Sequence, residues 1–339
     1  MIEDDDLEIS KKKDRILSIT HQQDIDGLFC GAILKNAFPD TFVHLTNYGY
    51  NNILQATKII HDTISKSRKR GIIIITDIYI DSPEEVSIIE DAASRAKETG
   101  WRFVWLDHHF WNESIRKRVE SFATLKISKD RERKCAAELL CDTFEIKRTA
   151  CQRMKKFAHA VDFRTPEITN LPPLPEIIRY YLTLPYAYKK LQKIVNKASK
   201  GIFWDDELQN VYENHYLPLK ETAMIKAMNS LVVQTIHNHR VAIAESPQIL
   251  SKGIIAEKIF ESQKDADLAI LFAPDGKLSI RRAPDSSLRC DLIARKLNGG
   301  GHSYAAGGII KTKNNDEVEA KKIEMKDVIE QLQTALEKS

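Results

Sequence analysis

Short apolar runs alternate with longer segments of helical period through the first half of the chain, and this alternation constrains the fold more than any other feature. Ile16–Thr20, Thr41–Leu45, Ile72–Thr76, Phe103–Leu106 and Phe122–Ile127 read as strands, with helices between them. A β-α-β-α order predicts an α/β fold, a parallel five-stranded sheet with helices on both faces. Sheets of this kind bind ligands outside the carboxyl ends of their strands, so polar residues at those ends carry the functional reading.

The second half changes character. A proline-rich stretch, "TPEITNLPPLP" from Thr165 to Pro175, breaks regular structure and marks either a boundary or an approach between domains. Helical segments then run to about Ile236, followed by strand-like Val241–Ala244, Leu268–Phe272 and Leu278–Arg281 and a closing helix from roughly Glu317. The expected division is a first domain over 1–190, a helical linker over 191–238 and a smaller α/β domain over 239–339.

A chain of 339 residues, 42% hydrophobic and 29% charged, has room for two such cores. With 51 basic and 48 acidic residues the net charge is only +3, so any nucleic-acid surface must be a local patch. The five cysteines, Cys30, Cys135, Cys141, Cys151 and Cys290, are odd in number and contain no Cys-x-x-Cys pair. That pattern argues against a disulfide framework and against a zinc ribbon, and fits a reducing compartment. The N-terminus is acidic where a signal peptide would be basic, and the most apolar run, Ile72–Ile75, is too short to span a bilayer. The expectation is a cytoplasmic protein with no membrane partner.

Acids and histidines recur at the expected strand and helix ends. "THQQDIDG" places His21, Asp24 and Asp26 after the first strand; Asp77 follows the isoleucine run; Asp107-His108-His109 follows the fourth strand; Asp162 follows His159 in "HAVDF". Each alone reads equally as an N-cap, a turn or a satisfied core histidine. Three of the four follow strands of one sheet, so their side chains converge on one rim. Crowded carboxylates repel unless cations neutralise them, and a carboxylate and imidazole set suits Mn²⁺ or Mg²⁺ better than structural zinc. Two such ions about 3.5–4 Å apart would clamp a phosphoryl group and activate water.

Taken in order, these residues resemble the four N-terminal motifs of the DHH phosphoesterase superfamily, with Asp107-His108-His109 as its triplet. The resemblance implies that Asp24 and Asp26 are the first-motif acids, joined by His21, that Asp77 bridges two metals, and that His108 and Asp162 complete the ligand set. His109 would lie near the scissile phosphate, and Asp107 would orient the pair of histidines. "KCAAELLCDTF", Lys134 to Phe144, is similar to the helix that follows the family's fifth strand. Trp105 and Trp111, which flank the triplet, read as core packing.

The second domain adds "LNGGGHSYAAGG", Leu297 to Gly308. A glycine-rich stretch alone is more often a turn than an anion site, although its glycines allow close backbone approach and His302 can donate to a phosphate. Beside the first resemblance, it resembles the signature of the DHH-associated domain, which implies that Gly299, Gly300, Gly301 and His302 bind substrate. "LSIRRAPDS" resembles that domain's substrate strand, with Arg281 as the phosphate-gripping arginine ahead of its neighbour Arg282. The family implies an active site in the cleft between the two domains.

The two-domain form is shared by RecJ-like single-strand exonucleases, by nanoRNA hydrolases that also act on 3'-phosphoadenosine 5'-phosphate, and by cyclic-dinucleotide phosphodiesterases. The resemblance implies a two-metal exonuclease, using Mn²⁺ or Mg²⁺, that releases mononucleotides from single-stranded RNA or DNA or from short oligonucleotides. The alternatives are a 3'-phosphoadenosine 5'-phosphate phosphatase or a dinucleotide phosphodiesterase. Compact archaeal RecJ-like proteins associate with GINS in the replisome, so a scaffold with little catalysis is a reading of another class; retention of the whole acid and histidine set weighs against it. Lys189, Lys190, Lys193, Lys197 and Lys200 form either a solvated helix face or a strand path, and Tyr180, Tyr181, Tyr186 and Tyr188 either pack or stack bases.

Overall fold

The structure, a computed structural model, describes residues 15–67, 70–80, 82–128, 132–310 and 323–337. The chain divides into two compact units, Met1–Gln209 and Asn210–Ser339.

The first unit is built on β1 (Arg15–His21), β2 (Phe42–Thr46), β3 (Gly71–Thr76), β4 (Trp101–Asp107) and β5 (Thr124–Ile127). All pairings are parallel and the spatial order is β2-β1-β3-β4-β5. The helices between and after them are α1 (Ile25–Ala37), α2 (Tyr50–Lys66), α3 (Pro83–Glu98), α4 (Glu113–Glu120), α5 (Ala136–Thr143), α6 (Thr149–Asp162), α7 (Leu174–Leu182) and α8 (Ala187–Ala198). Helix α1 packs against α5, α6 and α8 on one face of the sheet, and α2, α3 and α4 pack together on the other. The central strand β3, Gly-Ile-Ile-Ile-Ile-Thr, is buried along its whole length, which is why its sequence is continuous rather than alternating.

The strand order fixes where a ligand can sit. The chain leaves β1 toward β2 on one side and resumes at β3 on the other, so the crevice at the carboxyl ends of β1 and β3 is the topological switch point. At that point Thr76 Oγ1 donates to Thr20 Oγ1 at 2.8 Å, and Thr20 Oγ1 donates to the Gly27 carbonyl at 2.6 Å, tying both strands to the start of α1.

The proline-rich segment lies inside the first unit, as a 3₁₀ turn at Pro166–Asn170 leading into α7. Residues 191–209 also belong to that unit: Gln192 Nε2 donates to the Val43 carbonyl at 2.9 Å, and Asn36 Nδ2 to the Ser199 carbonyl at 2.7 Å. A helical run, α9 (Asp206–Val211), a π turn (Tyr212–Tyr216) and α10 (Leu217–Asn229), carries the chain into the second unit.

The helical reading up to Ile236 is corrected by β6 (Val232–Ile236), which forms a hairpin with β7 (His239–Glu245). The reason is local: His237 and Asn238 both take positive φ, 46° and 68°, the backbone of a two-residue hairpin turn. The unit continues with α11 (Lys252–Ser262), β8 (Leu268–Phe272), β9 (Lys277–Arg282), α12 (Cys290–Lys296), β10 (Gly300–His302), β11 (Ala305–Ile309) and α13 (Met325–Leu336). Its sheet runs β10-β11-β9-β8-β7-β6, with only β7 and β8 parallel. The closing helix expected from Glu317 is described from Met325; residues 317–322 lie outside the described residues.

All five cysteines are buried and free, in keeping with the reading against a disulfide framework. Beneath the switch-point face, Phe29 of α1 is fully buried and meets Phe157 of α6 at 5.3 Å, edge to face, and Phe203 at 5.5 Å. Replacing Phe29 with alanine should lower stability by about 3–5 kcal/mol through the cavity left among these rings, measured by chemical denaturation. A loss below about 1 kcal/mol would show that this cluster does not support the unit.

Candidate metal centre

The carboxyl ends of β1, β3 and β4 deliver the acids and histidines to the switch point. His21 is the last residue of β1 and is buried; Asp24 is the N-cap of α1, its Oδ1 accepting from Gly27 N at 3.0 Å. Gly27 has to be glycine, because a Cβ there would stand 2.3 Å from the His21 carbonyl oxygen. Asp77, immediately beyond β3, is buried and holds the left-handed φ of 57°. Such backbone is costly for a non-glycine residue and is kept here by its hydrogen bond from Asp77 N to the Leu106 carbonyl, 3.0 Å.

Two clusters result. In the first, His21 Nδ1 lies 2.9 Å from Asp24 Oδ2 and 3.4 Å from Asp77 Oδ2, while His21 Nε2 meets Asn47 Oδ1 at 3.2 Å. In the second, His108 Nε2 lies 3.3 Å from Asp77 Oδ1 and 3.7 Å from Asp26 Oδ2, and His108 Nδ1 lies 3.4 Å from Asp162 Oδ2. Asp77 is therefore shared, one oxygen turned to each cluster, and its Oδ2 accepts no hydrogen bond among the described residues. The potential donor atoms of His21, Asp24 and Asp77, and those of Asp26, His108 and Asp162, fall within 4.8 Å of one another in each set.

Asp26 is held differently from its neighbours. Its two carboxylate oxygens accept from Ala136 N at 2.7 Å and Ala137 N at 2.8 Å, the first amides of α5. The helix N-terminus thus receives a carboxyl group beside its Cys135–Glu138 capping box, an arrangement that works against the upward push of burial on Asp26. Sequence reading missed this link; its signal was the Cys135-x-x-Glu138 pattern, in which Glu138 accepts from Cys135 N at 3.1 Å and opens α5.

The triplet divides its labour. Asp107 is fully buried; its Oδ1 lies 2.8 Å from His109 Nδ1 and its Oδ2 accepts from Trp111 Nε1 at 2.6 Å. The expectation that Asp107 orients both histidines narrows to His109, since His108 is held by Asp77, Asp26 and Asp162. His109 Nε2 lies 3.3 Å from the Tyr48 hydroxyl, and its ring meets Tyr79 at 5.3 Å. Trp105 is core, as expected, and Trp111 packs edge-on to it at 5.4 Å.

The electrostatics follow from this crowding. Against the cost of burial, Asp24 and Asp77 push His21 up to about 10, and Asp77 with Asp26 and Asp162 pushes His108 up to about 10. Burial, reinforced by Asp77, raises Asp26 well above the usual carboxylate range and takes Asp162 up to about 6. Asp24 and Asp107, each facing a histidine, are held low, Asp107 despite its complete burial. Protons on the imidazoles neutralise the carboxylates, and a divalent cation would do so more completely. The residues fit such an ion: oxygen and imidazole donors are grouped in three sets, two of which include Asp77, and a buried Asp77 oxygen stands without a donor among the described residues.

The second unit carries the remaining expected residues. Arg281 of β9, Ala305 of β11 and His302 of β10 pair in register, so their side chains share one row on one sheet face, with the small Ala305 between the two larger groups. The glycine-rich stretch is a hairpin, not a free anion loop. A Cβ at Gly299 would stand 1.9 Å from the Gly307 carbonyl oxygen, and Gly301, at φ 141°, would meet Ala306 Cα at 2.7 Å, so both serve strand packing. Gly300 faces open space on the side of Arg281 and His302. His302 is exposed and stacks on Tyr304 at 5.4 Å.

The sequence matches no family model and no curated protein. Among solved structures, the pGpG-specific phosphodiesterase PggH of Vibrio cholerae is 13% identical and aligns with a TM-score of 0.52 over 95% of this chain and all of that one. The two chains share a fold. An uncharacterized protein from Helicobacter pylori G27 also aligns, at 17% identity and TM-score 0.39 over 95% of this chain and 99% of that one. The likeness to PggH shows a common architecture, a five-stranded parallel sheet unit followed by a second sheet unit, at a sequence distance where residue roles have to be argued from the site itself.

Loading these clusters must displace protons from His21 and His108. Mn²⁺ titrated at pH 7.5 should release protons, seen as heats that differ between calorimetry buffers of different ionisation enthalpy, and affinity should rise with pH toward 9. At 100 times the dissociation constant the gain in stability would be about 2.7 kcal/mol, lost in Asp77→Asn. Buffer-independent heats, or full stabilisation of Asp77→Asn by Mn²⁺, would contradict the assignment.

Proposed function

We propose that the protein is a divalent-metal-dependent phosphoesterase that cleaves phosphodiester bonds in short or single-stranded nucleic acid. The observation that carries this reading is the sharing of Asp77 between two donor clusters at the switch point, Oδ2 toward His21 and Oδ1 toward His108. A carboxylate with one oxygen in each cluster is the arrangement that holds a pair of cations at the spacing of a phosphoryl group. Mn²⁺ is the ion we assign, with Mg²⁺ as its substitute, because the donors mix carboxylate with imidazole.

His21, Asp24 and Asp77 would hold one ion, and Asp26, Asp77, His108 and Asp162 the other. When bound, the pair supplies Lewis-acid activation of water and neutralises charge on the phosphoryl oxygens. The chain supplies the rest. Asp107 fixes His109 through Nδ1, leaving Nε2 toward the Tyr48 hydroxyl, where it can donate to a phosphate oxygen or to the departing alkoxide. Burial of Asp26, Asp77 and Asp107 keeps these groups out of bulk water, where their charges would be screened. In the second unit Arg281 and His302 flank Ala305 in one row, a pair of donors suited to a phosphate group.

The lysine stripe of α8 contributes less to nucleic-acid binding than its sequence suggests. Lys193 is paired with Glu207 at 2.6 Å, and Lys197 with Glu207 at 2.8 Å and with Asp205. Tyr180 and Tyr181 are buried, whereas Tyr186 and Tyr188 are exposed. Exonuclease action is therefore inferred from the metal rim and the Arg281 row, not from this helix.

The test is a ladder. The protein with Mn²⁺ is incubated with end-labelled RNA and DNA of several lengths, with 3'-phosphoadenosine 5'-phosphate and with a cyclic dinucleotide. Products descending one nucleotide at a time from one end are expected, with Asp77→Ala reducing the rate at least about 10³-fold while the fold remains cooperative; an active Asp77→Ala sinks the reading. Arg281→Ala should raise KM about 10-fold or more with a smaller change in kcat, as expected for a lost charged hydrogen bond. Unchanged kcat and KM would remove Arg281 from the site.

A further inference from the structure

A cleft of about 1200 Å³ opens in the first unit between α6, the proline-rich turn and residues 201–204. It is larger than the cavity a small anion needs, and its volume suits more than one nucleotide. Its lining combines apolar surface, Trp204, Phe203 and Pro172, with the cations Arg153 and Lys156 of α6. Arg153 and Lys156 are exposed and one helical turn apart; the Arg153 guanidinium lies 4.8 Å over the Phe203 ring. Lys155, also in the wall, is engaged with Asp142 at 2.8 Å, whereas Arg153 and Lys156 are the exposed cations of the lining.

The cleft is linked to the metal rim through two residues of its lining, Glu138 and His159, with His159 Nδ1 2.7 Å from Glu138 Oε2. Glu138 opens the same helix, α5, whose first amides hold Asp26, and His159 lies one turn before Asp162 on α6. Aromatic rings bridge the gap: His159 meets Phe163 at 4.8 Å, Phe163 meets His108 at 6.4 Å, and Arg133 lies 5.2 Å over Phe163. These contacts set His159, at the cleft, one aromatic ring away from His108.

We propose that this cleft is a nucleoside subsite: it seats the nucleotide next to the scissile phosphate, with Trp204 as a base-stacking surface and Lys156 and Arg153 against the following phosphate. The substrate class is then an oligonucleotide of two or more residues, in preference to a mononucleotide or an inorganic phosphoanhydride. Stacking on an indole tolerates any base, and the lysine and arginine read only the backbone, so the subsite selects for chain rather than sequence. This assignment rests on the phosphodiesterase reading for its connection to the metal rim.

The experiment measures binding apart from catalysis. Fluorescence anisotropy of a labelled tetraadenylate, and of the same tetramer with abasic sugars, is compared for wild type, Trp204→Ala and Lys156→Gln, alongside initial rates with Mn²⁺. Trp204→Ala should weaken tetraadenylate roughly 5- to 150-fold and leave the abasic strand unchanged. Lys156→Gln should weaken both strands alike and reduce the slope of log affinity against log salt by roughly 0.7–1. Wild-type affinity for tetraadenylate in both variants overturns the proposal and points to a protein segment as the occupant. Equal loss of both strands in Trp204→Ala overturns the stacking role. If wild type cleaves nothing while the binding pattern holds, the phosphodiesterase reading fails and the nucleotide cleft stands. If it cleaves and neither variant shifts binding or KM, the cleft assignment fails alone.

Discussion

Asp24, Asp26, Asp77 and Asp162 are brought so close that their mutual repulsion has to be balanced, and the rest of the first unit is organised around that balance. His21 and His108 do part of it, each raised well above the ordinary imidazole range by the carboxylates it faces. The α5 amides do another part by taking both oxygens of Asp26. Asp77, one oxygen in each cluster and on a left-handed backbone, joins the two halves. A divalent pair would balance the same charge through direct bonds to the carboxylate and imidazole donors, which is why the site is read as a metal centre and not as an ion-pair network.

The scaffold makes this crowding affordable by rigidity. The wholly buried isoleucines of β3 set the height of the rim, and the Thr20–Thr76 hydroxyl pair locks β1 to β3 where the chain changes direction. Trp111 donates to Asp107 from within the core, so the orientation of His109 depends on packing two shells away from any ligand. The cleft along α6 extends the same logic: α5 and α6, which fix Asp26 and Asp162, also contribute Glu138 and His159 to its lining.

The sequence was most legible where one residue does one job. Strand ends followed by Asp or His were found because a parallel sheet sends every such end to the same side, and the Asp107-His108-His109 order survived as three distinct environments. It was least legible where the partner is distant or is backbone. Nothing near Asp26 in sequence points to amides 110 residues further on, and nothing in the α8 lysines shows that Glu207 and Asp205 neutralise two of them. The β6 strand was read as helix because a short apolar run carries no period of its own; the positive φ of His237 and Asn238 decides it.

By itself the sequence determined the alternating α/β order, the presence of two cores and the set of acids and histidines placed at strand ends. These follow from local periodicity and from the rule that parallel strands share an exit side. Only the tertiary structure decided which oxygen of Asp77 faces which histidine, that Asp107 serves His109 rather than both rings, that the glycine run is a hairpin beside Arg281, and that a cleft with cationic and aromatic lining lies along α6. Each of these depends on distances between segments far apart in the chain, set by packing and close backbone approach, which the order of residues does not encode on its own.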